Sequence, residues 1–380
     1  MVAAADPGRS GRKPRVAVVF GGRSSEHGVS CLTASQVIAA IDRDRYDVVP
    51  VGISRDGRWV LESCDAGRYA ISGGELPTVD PSRAGVALAQ SHGTRELMVQ
   101  DQGDIPRTLG EVDVVFPLLH GPWGEDGTLQ GLLEMSGVRY VGAGVLASAV
   151  GMDKHMMKIV LAAAGLPMVP YVVVARREWE RDKPAVRESV ASLGWPVFVK
   201  PARAGSSLGV TRVDGPQDLD AAIETARALD PKVIVEAAAA DARELECGVL
   251  EAVDGSSPEA SVVGEIRVDT SRGHRFYDFE AKYLDGGGEL DVPANVDGAT
   301  AEQVRSWAVR AFQAIGCEGL ARVDFFLLRD GRLLVNEINT MPGFTPTSMY
   351  PRLWDAAGLD YRALVDRLIT LAADRPVGLR

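Results

Sequence analysis

Apolar residues recur along this chain with two spacings. Short runs of Val, Leu, Ile and Phe mark buried strands at Arg15–Phe20 (RVAVVF), Asp47–Ile53, Val112–Leu119, Met168–Val174 and Val197–Pro201. Amphipathic helical spacing covers roughly Val29–Ile41, Asp153–Ala164, Glu178–Leu193 and Asp360–Asp374. Gly165 and Pro167 stop the second of these helices. The first strand passes through Gly21-Gly22 and Ser24-Ser25-Glu26 into its helix, and a second strand follows. That order opens an α/β unit with a parallel sheet. Glu62–Gln100 is irregular and Gly-rich, with the spacing of surface hairpins, and a smaller α/β module runs from Met168 through Glu236. From Leu245 onward the alternation belongs to a larger antiparallel sheet.

The most informative alternation lies in Leu320–Ser348, LARVDFFLLRDGRLLVNEINTMPGFTPTS. Asp330-Gly331 favours a two-residue hairpin turn, which sets Asp324 across from Glu337 and Arg322 across from Asn339. All four then project from one face, because side chains alternate along a strand. Opposed carboxylates lie about 5 Å apart and repel, so they call for a cation or a shared proton. An all-oxygen set of Asp, Glu and Asn suits a hard cation such as Mg²⁺, completed by phosphate and water. The bland alternative is a solvated hairpin face.

Composition narrows the classes. The 380 residues leave room for two or three domains, and 46% hydrophobic with 24% charged residues is the balance of a globular protein. A net charge of −11 argues against a general nucleic-acid surface. No stretch approaches the ~20 apolar residues of a membrane span. Cys31, Cys64, Cys247 and Cys317 form no CxxC pair, which fits a reducing, cytoplasmic setting. Met1–Pro14 has no apolar core of signal-peptide length and reads as a disordered tail. Only 7 of 41 basic residues are lysine, so each lysine invites a reason why a point charge was used.

Other motifs are ambiguous singly. Arg203–Gly209 (RAGSSLG) follows a strand ending in Lys200, and small residues there let backbone N–H groups approach phosphate oxygens. No GxxxxGK[ST] is present, which excludes a P-loop. Gly142–Ala147 fits G-x-G-x-x-A but lacks the acidic residue about 20 positions on, and close helix packing explains it better. His120, Glu125 and Asp126 lie in a Gly-rich turn opening a helix, where acids also serve the helix dipole. Glu26 likewise precedes a helix, as capping residues do. Phe276–Tyr283 followed by Gly286-Gly287-Gly288 has the make-up of a closing lid.

Taken together, GGRSSEHGVS, HGPWGEDGTLQG, MDK, VKPARAGSSLGV, FYDFEAKY, ARVDFF and NEINTMPGFTPTS resemble the D-alanine–D-alanine ligases of the ATP-grasp superfamily, from about Val16 to Ala373. The resemblance implies three domains: an N-terminal substrate-binding α/β domain over 15–152, a small central α/β domain over 153–243 and a C-terminal antiparallel-sheet domain over 244–380. The ATP-grasp region spans about 158–371. It implies ATP held between two antiparallel sheets, phosphorylation of one D-alanine carboxylate, and attack by the amine of a second D-alanine.

By resemblance, Asp324, Glu337 and Asn339 match ligands of two Mg²⁺ or Mn²⁺ ions. Lys154 and Lys200 match phosphate lysines, Glu244 a ribose contact, and Lys282 a phosphate contact. Glu236, Ala237 and Ala239 fall at the adenine hinge, where relatives often carry a Lys or an aromatic residue. Ser206, Ser207 and Asn336 belong to the matched nucleotide motifs. Glu26 matches the group holding the first D-alanine's ammonium, linked to Ser206 and Tyr283. Arg322 and the Gly343 N–H match the stabilisers of the tetrahedral intermediate, and Ser348 the contact to the second carboxylate. Gly28 stands where relatives often carry Glu, with little consequence expected. The resemblance also implies a homodimer in the cytoplasm. D-serine or D-lactate as acceptor, and a non-catalytic nucleotide sensor on the same scaffold, stay open as alternatives. The resemblance implies that Tyr283 favours the dipeptide over the depsipeptide.

Overall fold

The computed structural model describes residues 12–69, 71, 75–88, 95–101, 104–268 and 288–378. Its first sheet has eight strands. β1 (Arg15–Gly21) is central and pairs in parallel with β2 (Asp47–Ile53) on one side and β7 (Val114–Pro117) on the other. β8 (Arg139–Tyr140) extends the parallel half. The other half is antiparallel, through β3 (Trp59–Leu61), β4 (Gly85–Leu88), β5 (Glu96–Gln100) and β6 (Arg107–Glu111). The N-terminal sheet is therefore mixed rather than parallel throughout, because the hairpins expected in Glu62–Gln100, with β3 before them and β6 after, join its edge. α1 (His27–Ala40) packs on β1 and buries Val29, Ala34, Val37 and Ile38. The tail expected over 1–14 falls outside the described residues up to 11. Its last residues are held: Arg12 pairs with Asp113 at 3.0 Å, and the Pro14 carbonyl accepts from the Asp47 N–H.

A four-stranded antiparallel sheet follows, in spatial order β11 (Thr211–Val213), β10 (Val197–Pro201), β12 (Lys232–Ala237) and β9 (Tyr171–Ala175). The single helix expected over Glu178–Leu193 is two, Arg176–Arg181 and Lys183–Ala191. Asp182 breaks it by accepting from the Ala185 N–H at 3.1 Å, an N-cap with Pro184 in the first turn. The third sheet is also antiparallel, in order β15 (Gly288–Asp291), β14 (Glu259–Val268), β13 (Arg243–Leu250), β16 (Leu320–Leu327) and β17 (Leu333–Asn339). A 17-residue helix, Gly298–Ala314, covers it, burying Val304, Ala308, Ala311 and Phe312. The closing helix Tyr361–Asp374 lies against β7, β8 and α1 of the first sheet. Its Leu364, Val365, Leu368 and Ile369 share one buried cluster with Val16, Val18 and Phe20 of β1.

Small residues allow close approach where the domains meet. A Cβ on Gly319 would lie 3.0 Å from the Gly142 Cα, and one on Gly151 would lie 3.0 Å from Thr340. Gly142, expected to serve helix packing, instead lets its backbone approach that of Gly319 in the bend before β16. A Cβ on Gly28 would lie 2.5 Å from the Leu76 Cβ, so a Glu there would displace the loop carrying Leu76.

Candidate active site

A cavity of about 480 Å³ lies between the second and third sheets and reaches the first domain at Glu26, His120 and Glu125. Its floor is the hairpin β16–β17. Asp324 pairs with Glu337 and Arg322 with Asn339, as expected, by a different route. Leu328 N–H bonds to the Arg332 carbonyl, leaving a three-residue loop, Arg329–Gly331, with Gly331 at φ +84°. That shifts the register by one residue, and a β-bulge at Asn336 shifts it back before Glu337. Asn336 and Glu337 consequently both line the cavity.

Across β13 the row continues, with Glu246 opposite Asp324. Three carboxylates, Glu246, Asp324 and Glu337, thus stand side by side on adjacent strands. Arg322 answers two of them, with Nε 2.7 Å from Asp324 Oδ1 and 3.0 Å from Glu246 Oε2. These carboxylates hold its guanidinium pKa well above the usual arginine range. Asn339 Nδ2 donates to Asp324 Oδ2 at 3.0 Å, and Lys154 Nζ lies 3.9 Å from Glu337. Among the described residues no three His, Cys, Asp or Glu side chains converge on a single metal position. The donor set is two carboxylates and an amide oxygen. It fits a hard cation whose remaining ligands come from phosphate and water, since Asp324 Oδ1 keeps a lone pair beyond its bond to Arg322, while Oδ2 accepts from both Arg322 and Asn339.

The Ala202–Gly209 loop forms one wall. Arg203 anchors it through Asp230 at 2.6 and 3.0 Å. Ser206 and Ser207 take left-handed backbone conformations, φ +47° and +57°, a strain that aims their side chains. Ser206 Oγ donates to Glu26 Oε1. The Glu26 carboxylate sits between two glycines, for a Cβ on Gly205 would lie 2.8 Å and one on Gly121 2.9 Å from its Oε2. Lys154 opens the helix Lys154–Ala163, capped by Asp153, and its Nζ donates to the Ala204 carbonyl at 2.8 Å. Lys200, on β10, donates to Glu236 Oε2 at 2.6 Å. Burial opposes the Glu236 charge, yet Lys200 and Lys158 together hold its pKa down to about 2.

The cavity gathers Glu26, Lys154, Lys200, Ser206, Ser207, Glu236, Ala237, Ala239, Glu244, Arg322, Asp324, Asn336, Glu337, Asn339 and Gly343. Ser348 is not in its lining; it precedes the helix Met349–Ala356 and its Oγ meets Thr345 Oγ1 at 2.8 Å. Lys282, Tyr283 and the expected lid lie outside the described residues. Further groups join that the expectation had left aside. Glu125 accepts from the Gly121 N–H at 2.7 Å, and desolvation with the Glu26 charge pushes its pKa up to about 8. His120 is buried, with Nδ1 3.2 Å from the Met341 carbonyl and desolvation lowering its pKa. Glu246 was legible, two residues beyond Glu244 on one strand face.

Comparison with known proteins gives the family. The family model described as D-ala D-ala ligase N-terminus matches residues 15–143, and that for the D-ala D-ala ligase C-terminus matches 160–370. A D-alanine–D-alanine ligase of Pseudarthrobacter chlorophenolicus is 56% identical over 369 residues, covering 97% of this chain and 96% of that one. One of Streptomyces griseus is 57% identical over 377 residues, covering 97% and 95%. Among solved structures, the VanG D-Ala:D-Ser ligase of Enterococcus faecalis superposes with a TM-score of 0.80 at 34% identity, covering 95% of this chain and 100% of that one. The D-alanine–D-alanine ligase of Coxiella burnetii gives 0.79 at 32%, covering 96% and 94%. With its two family models spanning most of its length and its main cavity walled by two antiparallel sheets, the chain belongs to the D-alanine–D-alanine ligase family.

Proposed function

We propose that this chain joins two D-alanines to D-alanyl-D-alanine for peptidoglycan precursors, driven by ATP. The observation that carries this reading is the carboxylate row of the third sheet facing Lys154 and Lys200 in the same cavity as the Glu26–Ser206 pair. A carboxylate is a poor electrophile, so its oxygen first takes the γ-phosphoryl group, releasing ADP. The amine of the second substrate then attacks the acyl carbon, the C–O bond to phosphate breaks, and the amine loses a proton.

Each role follows from charge and position. Glu26, held by Ser206, offers an anion to an ammonium. Lys154 and Lys200 face the phosphates, with Ser206 and Ser207 supplying a narrow loop against them. Glu236, Ala237, Ala239, Glu244 and Asn336 line the nucleotide's end. Asp324, Glu337 and Asn339 would hold two Mg²⁺ or Mn²⁺ ions, which offset phosphate charge when bound. Arg322 and the Gly343 N–H serve an oxyanion, and Arg322 is fixed for it by Asp324 and Glu246. The same reading gives Ser348, Lys282 and Tyr283 the family's substrate and phosphate contacts. It divides the chain at about 152 and 243, places the enzyme in the cytoplasm and makes it a homodimer. Among the described residues no helix is long and apolar enough to cross a membrane.

D-Serine as second substrate is the alternative with an observation behind it, the 34% identity to the D-Ala:D-Ser ligase. Identity of 56–57% to D-alanine–D-alanine ligases favours D-alanine. The test is product analysis with the purified chain, ATP, Mg²⁺ and a panel of D-amino and D-hydroxy acids. D-Alanyl-D-alanine as main product is expected; a mixed dipeptide or ester as main product, or no ADP release with any pair, overturns the reading.

A further inference from the structure

Lys158 follows Lys154 by one helical turn, so both point from the helix Lys154–Ala163 toward the second sheet. Lys154 lines the cavity and Lys158 does not. Lys158 has no exposed surface. Its ammonium lies 2.9 Å from Glu236 Oε1 and 5.6 Å from the Tyr171 ring centre. Glu236 therefore has a cation on each oxygen, Lys158 behind it and Lys200, at 2.6 Å, on the cavity side. One buried carboxylate needs only one. The surplus has a reason if Lys200 must leave.

Across its strand neighbours Glu236 pairs with Phe198 on β10 and Tyr171 on β9. The charges felt at Lys200 from the third sheet are Glu244 and Glu337. Among the described residues, Lys158 and Lys200 are therefore the cations that face Glu236. A cavity-side lysine bound to a carboxylate meets competition when a polyphosphate arrives, and the carboxylate it abandons is buried. A buried anion without a cation is expensive, and such a group takes up a proton instead.

We propose that Lys158 is a positioning residue that keeps Glu236 charge-paired while Lys200 transfers from Glu236 to the nucleotide phosphates, so that nucleotide binding proceeds without proton exchange. This rests on the reading of Lys200 as a phosphate lysine. Lys158 touches neither substrate nor nucleotide; it acts through Glu236.

The test is titration calorimetry of the full chain with Mg-ADP at about pH 7, in buffers of different ionisation enthalpy. The wild type binds with no net proton uptake. Lys158→Met takes up on the order of one proton, binds about tenfold more weakly, and recovers affinity as pH falls. Lys158→Arg, which keeps the charge, shows no uptake. Lys158→Gln keeps a hydrogen-bonding side chain beside Glu236 without the charge, and stands in where Lys158→Met does not fold, with the same expectation. Wild-type affinity without proton uptake in the uncharged variants overturns the proposal. Lys200→Ala is measured in parallel: if it binds Mg-ADP as tightly as the wild type, the nucleotide reading of Lys200 fails, and the proposal with it.

Discussion

Arg322 closes both prongs of its guanidinium on Asp324, Nε to Oδ1 and Nη2 to Oδ2, each at 2.7 Å. The two residues sit on one strand face, two positions apart, where a planar fork reaches a carboxylate and a compact ammonium does not. The same guanidinium answers Glu246, so one cation neutralises parts of two neighbouring strands.

Removing that cation leaves two buried carboxylates opposed. Arg322→Met is expected to lower stability by about 3–5 kcal/mol, read from urea denaturation. Arg322→Lys keeps the charge but loses the fork. Its turnover is expected to fall about 10²-fold or more with a smaller stability loss, and near-normal turnover would contradict the oxyanion role.

Glu337 lines the cavity beyond the bulge and is half-buried. Glu337→Ala is expected to abolish ADP release while circular dichroism and the denaturation midpoint stay near wild type. Full turnover in that variant would remove Glu337 from the metal set.

Glu26 is confined by the absence of side chains on two sides. Gly205→Ala places a methyl 2.8 Å from the Glu26 carboxylate oxygen and forces it to move. Because misplacement by about 1 Å costs up to ~10²-fold, kcat/KM for D-alanine is expected to fall by that order with ATP affinity little changed. An unchanged D-alanine profile would release Glu26 from the role given to it.

Glu125 links the site to pH. Its pKa in the folded chain is raised from 4.5 to about 8, so the folded state holds a proton that the unfolded state has lost between those values. Its contribution to stability is complete below about pH 4.5 and declines as pH rises to about 8. Glu125→Gln cannot ionise and should remove that part of the decline, on the order of 1 kcal/mol after allowing for solvent in the cavity. Urea midpoints of both proteins across this range decide it; parallel pH dependences would mean Glu125 is ionised throughout.

Some of the architecture was legible because it follows from local rules. β1, its Gly-rich turn and α1 were, since a short buried run ending in glycines before a helical pattern has few other solutions. The helix Gly298–Ala314 is absent from the sequence-based expectation although its signal is present. Asp297 caps it by accepting from the Thr300 N–H at 2.9 Å, and Val304, Ala308 and Ala311 keep helical spacing. The break at Asp182 was harder, because a cap inside a long periodic run looks like a surface position. The hairpin expectation reached the right pairing of Asp324 with Glu337 through a two-residue turn the chain does not use. A one-residue longer loop and a bulge cancel, and neither is written in the alternation.

What the sequence by itself determined is which side chains share a face: Arg322 with Asp324, Glu244 with Glu246, Lys154 with Lys158. Covalent geometry fixes those relations through the periods of strand and helix. Only the tertiary structure decided which faces meet. Ser206 reaches Glu26 across 180 residues, Glu246 falls beside Asp324, and Lys158 finds Glu236 behind the cavity. Those distances depend on how sheets and helices pack, and packing is set by the whole buried surface rather than by any one stretch of chain.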